Sequence, residues 1–167
     1  LASIERDPMR TLASRLVRAT QFGLWSQPKT VPLGPKLFGD PLDGTFQMIA
    51  RGAYGSFVYD ALSAAPKDAV MLDIGANVGL FRVALAPLFD QRVLSFEPNP
   101  RTFAYLQKNL GQAKLDQVQA VCAGVVATED KSLSLSMRQY HSGAASLTQN
   151  FGWRQMRISL VGPKLMR

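Results

Sequence analysis

Between residues 69 and 125 the chain alternates short apolar runs with amphipathic stretches. Ala69 to Ile74 is apolar and bounded by turn residues, which predicts a buried strand. The next stretch places Leu80, Phe81, Ala84, Leu85 and Leu88 on one face of a helix. Asn77 is placed to cap that helix, which is expected to run to about Phe89 and to be stopped by Pro87. Arg92 to Phe96 predicts a second strand, ended by Pro98 and Pro100. Asn99 then caps a helix over Arg101 to Leu110, and Val118 to Val121 predicts a third strand. Strand and helix in strict alternation predict an α/β fold with a parallel sheet.

The flanks follow other patterns. Met9 to Thr20 sets Leu12, Leu16 and Val17 opposite Arg10, Arg15 and Arg18, as a helix would. Its apolar face is narrow and poor in aromatics, so packing on the domain is expected rather than lying on a membrane surface. Gln27 to Gly44 is rich in Pro and Gly and reads as a linker or irregular cover. Phe46 to Ala64 reads as a helix-and-strand lead-in. Beyond Val125, Leu133, Leu135 and Met137 alternate with polar residues, as do Met156, Ile158 and Leu160. Two half-exposed strands are expected there, an antiparallel pair around a loop that holds His141. The chain thus divides into residues 1–45, an N-terminal helix and Pro/Gly-rich lead-in, and residues 46–167, the α/β unit.

The chemistry sits where the first two strands end. Gly75 and Gly79 fall in a strand-to-helix turn, where a missing Cβ permits unusual φ and lets a ligand approach the backbone. The helix start is expected to leave free amide donors facing that ligand. Glu97 stands at the end of the second strand, about 20 residues after Gly75, where a carboxylate can grip both hydroxyls of a ribose. Asp73 decides the kind of nucleotide. A pyrophosphate seated in this turn would meet its negative charge, and like charges repel strongly in a partly dry site. Asn77 also replaces the middle glycine of the Gly-x-Gly-x-x-Gly fingerprint. S-adenosylmethionine, with an ammonium, a sulfonium and a ribose, suits Asp73 and Glu97 together.

Asp73-Ile-Gly-Ala-Asn-Val-Gly79, Phe96-Glu-Pro-Asn-Pro100 and Leu106-Gln-Lys-Asn-Leu110, in that order and spacing, resemble the FkbM family of S-adenosylmethionine-dependent methyltransferases. The resemblance runs from about Gly52 to Val161 and is dense between Val70 and Val125. It implies a Rossmann-like class I methyltransferase sheet and methyl transfer to a hydroxyl of a sugar or other small-molecule acceptor. By matching position it implies that Asp73 holds the methionine end, and that Gly75, Ala76, Asn77 and Gly79 form a backbone cradle. Glu97 grips the ribose, Pro98 and Asn99 shape the wall beside the adenine, and Cys122 and Ala123 close it at the tip of the third strand. After Val161 the family continues into a Leu-Asp-Asp segment and a Lys-x-Asp-x-Glu-Gly strand end. Neither is in this sequence, so the sheet is expected to be truncated after its first half and the chain to be a fragment. At Ala53-Tyr54-Gly55 many members have Tyr-Glu, so a contact from that segment is expected to be lost.

Composition narrows the field. A length of 167 residues with 47% hydrophobic positions is ordinary for one globular domain. No apolar run is long enough for a transmembrane helix, and the first residues show no signal-peptide pattern. One cysteine excludes an internal disulfide and fits a reducing, cytoplasmic setting. One cysteine and one histidine leave a multi-histidine metal site or a Cys/His/Asp triad without parts, so no metal is expected and Cys122 reads as a structural thiol. His141 reads as a solvated loop residue before it reads as a general base. The net charge is +7, but residues 131–167 hold six basic residues and no acid, so the excess is concentrated at one end. No specific nucleic-acid partner is expected. The catalytic base and oligomeric state are not legible. A dinucleotide-binding oxidoreductase fragment and a non-catalytic cofactor- or nucleic-acid-binding module remain the alternatives.

Overall fold

A computed structural model describes residues 27–66, 68–88, 93–115, 118–127, 132–138, 140–147 and 154–161. The helix expected over Met9–Thr20 lies outside these residues. In chain order the elements are β1 (Lys29–Thr30), β2 (Lys36–Leu37), α1 (Gly44–Ala50), α2 (Ser56–Ser63) and β3 (Leu72–Ile74). Then come α3 (Leu80–Leu85) with a 3-10 turn (Ala86–Leu88), β4 (Val93–Phe96), α4 (Pro100–Gln112) and β5 (Val118–Val121). The last strands are β6 (Gly124–Val125), β7 (Ser132–Arg138), β8 (His141–Ser146) and β9 (Arg154–Val161).

β3, β4 and β5 form a parallel sheet in that order, with Asp73 beside Ser95 and Ser95 beside Ala120. Helices α3 and α4 make the crossovers, so the unit is the β–α–β–α–β half of a Rossmann-like α/β fold. One face of the sheet is covered. Met71, Leu85 and Val93 cluster beneath α3, and Ala76, Leu106, Leu110 and Leu115 cluster beneath α4. On β3 the alternate positions Leu72 and Ile74 point the other way and are exposed, as is Val70 before them. Strand β3 is shorter than the apolar run because register with β4 begins at Leu72–Leu94.

The turn between β3 and α3 departs from expectation. Asn77 does not cap the helix; it takes a left-handed φ of 50°, between Gly75 at 82° and Gly79 at 86°. Three left-handed residues at every second position delay the helix to Leu80, with Gly79 as its first flank. A Cβ on Gly79 would also stand 2.7 Å from Leu106 Cδ1, so this glycine admits α4 as well. The α-helix ends at Leu85 rather than near Phe89, and Pro87 lies in the 3-10 turn that follows. Asn99 does cap α4, accepting from the Arg101 N–H at 3.1 Å, with Pro100 opening the helix.

The described lead-in is a cover built into the core. Val31, Leu37, Phe46 and Ile49 pack with Val78 and Leu80. Asn109, fully buried on α4, latches it: its Oδ1 accepts from Phe38 N–H at 2.7 Å, and its Nδ2 donates to the Phe38 and Val78 carbonyls. Arg101 pairs with Asp40 at 2.6 Å, and Lys108 stands over the Phe38 ring. Residues 46–64 hold two helix segments and no strand. Gly52 and Gly55, both left-handed, break the chain between them. A Cβ at Gly55 would lie 2.8 Å from the Phe81 ring, so the glycine at this position lets that ring pack.

β1 and β2 pair antiparallel, and the other four strands form a third sheet in the order β6-β9-β7-β8. β7 and β9 are the expected antiparallel pair, with Leu133 opposite Ile158 and Leu135 opposite Met156, and with Leu135 and Ile158 turned inward. The expected loop around His141 is a strand instead. Left-handed Tyr140 turns the chain back, and β8 pairs with β7. Small residues permit it: a Cβ on Gly143 would stand 2.9 Å from Thr45 Oγ1.

Candidate cofactor site at the glycine-rich turn

The turn's own amides face inward. Gly75 and Ala76 both donate to the Phe96 carbonyl, at 2.8 and 2.9 Å. Asn77 N–H donates to Glu97 Oε2 at 2.9 Å, Val78 N–H to Asn77 Oδ1, and Gly79 N–H to the Ala76 carbonyl. Residues 75–79 therefore supply no free donor; the helix start expected to supply donors falls at Leu80, where no side chain caps α3. The left-handed backbone curls each N–H back onto β4 or onto the turn itself. What the turn offers a ligand is space, since a Cβ on Gly75 would meet nothing within 4 Å.

Two carboxylates flank that space. Asp73 is largely buried on the covered face of β3, and its Oδ2 has no hydrogen-bond partner among the described residues. Burial pushes its pKa from 3.8 up to about 6, with the Arg82 guanidinium pulling the other way. That oxygen is sealed from solvent, an acceptor whose hydrogen-bonding capacity is unmet. Glu97 is buried at the end of β4, with Oε2 taken by Asn77 N–H and Oε1 by Asn99 N–H at 2.9 Å. Each oxygen retains a second lone pair for a hydroxyl. Burial raises the Glu97 pKa, the two backbone donors lower it, and the charge of Asp73 raises it again.

The other predicted residues lie at the same end of the sheet. Pro98 and Asn99 continue directly from Glu97, and Glu97 N–H donates to the Val121 carbonyl at 3.1 Å, bringing in the tip of β5. Ala123 is buried there, and the half-buried Cys122 thiol is raised by burial and then by the Glu97 charge. Ten residues spread over 51 positions thus meet at the carboxyl ends of three parallel strands, where α/β sheets bind ligands.

Sequence reasoning missed a second layer that braces the turn. Asp43 caps α1 through Phe46 N–H and also accepts from Ser142 N–H at 2.6 Å and Ser142 Oγ at 3.0 Å. Ser142 Oγ in turn accepts from Asn77 Nδ2 at 2.8 Å. Thr45 Oγ1 accepts from Gly143 N–H and lies 3.0 Å from His141 Nδ1, so the histidine is held on β8 beside the turn. Asp43 followed by a helical stretch is a capping signal; its tie to Ser142 spans 99 positions and leaves no local trace. Among the described residues no cluster of three or more metal-ligating side chains occurs. No described helix is long and apolar enough to cross a membrane.

No protein-family profile matches the chain. Over 93 residues, 55% of its length, it is 32% identical to Methyltransferase 1 of Beauveria bassiana (strain ARSEF 2860), and it spans 37% of that protein. Among solved structures it is similar to the precorrin-6y C5,15-methyltransferase of Geobacter metallireducens GS-15, at 26% identity and TM-score 0.37 over 40% of this chain and 36% of that one. It is also similar to M. jannaschii TYW2 in complex with AdoMet, at 20% identity and TM-score 0.41, covering 56% of this chain and 43% of that one.

Proposed function

We propose that this chain is part of an S-adenosylmethionine-dependent methyltransferase of class I, of the FkbM type, with its cofactor seated over Gly75 between Asp73 and Glu97. One observation carries the reading. The turn has no free amide at residues 75–79 to give a pyrophosphate, while Asp73 presents a buried carboxylate oxygen without a partner. A dinucleotide site needs the reverse, free donors and no facing acid. The curated methyltransferase relative supports the same class.

Asp73 takes the ammonium of the amino-acid end, and Glu97 accepts from the ribose hydroxyls. Gly75, Ala76, Asn77 and Gly79 supply an open backbone floor, and Pro98, Asn99, Cys122 and Ala123 wall the adenine side. The bound cofactor would supply an electrophilic methyl on a sulfonium. The chain's own contribution is to position that methyl and exclude water from it, the acceptor being a hydroxyl of a sugar or other metabolite. The single cysteine agrees with a cytoplasmic enzyme.

Thermal melts with S-adenosylhomocysteine and with NAD test the reading, because a ligand that binds the native state raises its melting temperature. A rise with S-adenosylhomocysteine alone is expected; a rise with NAD alone, or with neither, contradicts it. Glu97→Ala is expected to weaken S-adenosylhomocysteine binding about tenfold or more, or ~1.4 kcal/mol. It removes the ribose acceptor and frees the Asn77 and Asn99 N–H groups that shape the turn. Calorimetric titration giving wild-type affinity would remove Glu97 from the site.

A further inference from the structure

Arg82 breaks two rules of stable packing at once. It is 0% exposed, and its Nε, Nη1 and Nη2 have no hydrogen-bond partner among the described residues. A buried charge without hydrogen bonds is costly. Its neighbours do not demand it: Leu85, one turn on, packs against Met71 and Val93.

The explanation lies on β3. Met71 faces α3, so Asp73, two residues on, faces it too, one turn of helix nearer Arg82. The two side chains feel each other's charge, yet they form neither an ion pair nor a hydrogen bond. Arg82 therefore acts on Asp73 through its field and takes up none of the carboxylate's hydrogen-bonding capacity.

We propose that Arg82 is a positioning residue for the cofactor, a sealed cation behind β3 that keeps the Asp73 carboxylate charged and available for the ammonium. This rests on the methyltransferase reading above. The charged groups gathered here are Asp73 from β3, Arg82 from α3 and Glu97 from the end of β4; Ser95, beside Asp73 on β4, is neutral. Burial opposes the ionisation of Asp73, and Arg82 is the cation that offsets it. With Arg82 present Asp73 titrates at about 6. Without it burial acts unopposed, and the carboxyl stays protonated to higher pH. A neutral carboxyl has no Coulomb attraction for an ammonium.

The test follows the Asp73 carboxyl carbon by NMR against pH in the wild-type protein, Arg82→Lys and Arg82→Met. Arg82→Met is expected to move its midpoint up by about one unit or more, and Arg82→Lys to hold it near the wild-type value. For a one-unit shift, S-adenosylhomocysteine affinity at pH 6 should fall about fivefold in Arg82→Met and recover above about pH 8. If Arg82→Met does not fold, the equally neutral Arg82→Gln carries the same expectation. An unchanged Asp73 midpoint in the neutral variant overturns the proposal while leaving cofactor binding intact. A shifted midpoint in a protein that binds no S-adenosylhomocysteine at any pH contradicts the cofactor reading, and with it the purpose assigned to Arg82.

Discussion

Asp73→Asn is expected to make the ligand-free protein more stable and the cofactor bind worse. Asp73 has a higher pKa folded than unfolded, 3.8 rising to about 6, so the folded state holds its proton more tightly. The stability this gives is present below pH 3.8 and is lost as pH rises through about 6. At neutral pH the fold carries a buried anion without a hydrogen-bond donor on Oδ2. An asparagine has no charge to bury. The variant should match the wild type near pH 4 and exceed it at pH 8 by about 2–3 kcal/mol, the equivalent of some two pKa units. S-adenosylhomocysteine affinity should fall about tenfold or more, since the ammonium loses its counter-charge. Urea melts at the two pH values and a titration at pH 8 check both halves. Equal stability at pH 8 would refute the buried-anion account, and unchanged affinity would refute the site.

Asn109→Ala is expected to cause the largest loss of stability of any single change considered. Its side chain satisfies the N–H and carbonyl of Phe38 and the carbonyl of Val78, all from a position with no solvent exposure. Truncation leaves buried backbone groups from two segments unpaired and opens a cavity, a loss of about 3 kcal/mol or more. Val78 belongs to the glycine-rich turn, so the damage should reach binding as well as folding. Urea denaturation and calorimetry measure the two effects. Loss of less than about 1 kcal/mol would mean that the lead-in is held by its apolar contacts alone.

The parallel unit was legible because its signals are local. Apolar runs, Asn-Pro at the start of α4 and paired glycines each report on neighbouring residues, and β3, β4, β5 and α4 lie where those signals place them. Asn77 shows where such reading stops. Asparagine serves a cap or a left-handed position equally well, and only the winding of Gly75 and Gly79 around it selects the second. The same winding turned the amides of residues 75–79 inward, which a glycine pattern alone does not reveal. Arg82 was invisible for a different reason: an arginine in an amphipathic helix reads as solvated, and its burial depends on how α3 sits on β3. The Asp43–Ser142–Asn77 chain depends on contacts across 99 and 65 positions, beyond any local period.

The most direct test of the account is amide NMR of the protein during titration with S-adenosylhomocysteine. The expected result is saturable shifts in Gly75, Ala76, Asn77, Gly79 and Asn99, with Ala123 following at the adenine side. Saturable shifts confined to other parts of the chain, or no shifts at millimolar ligand in a folded protein, would contradict a cofactor site between Asp73 and Glu97.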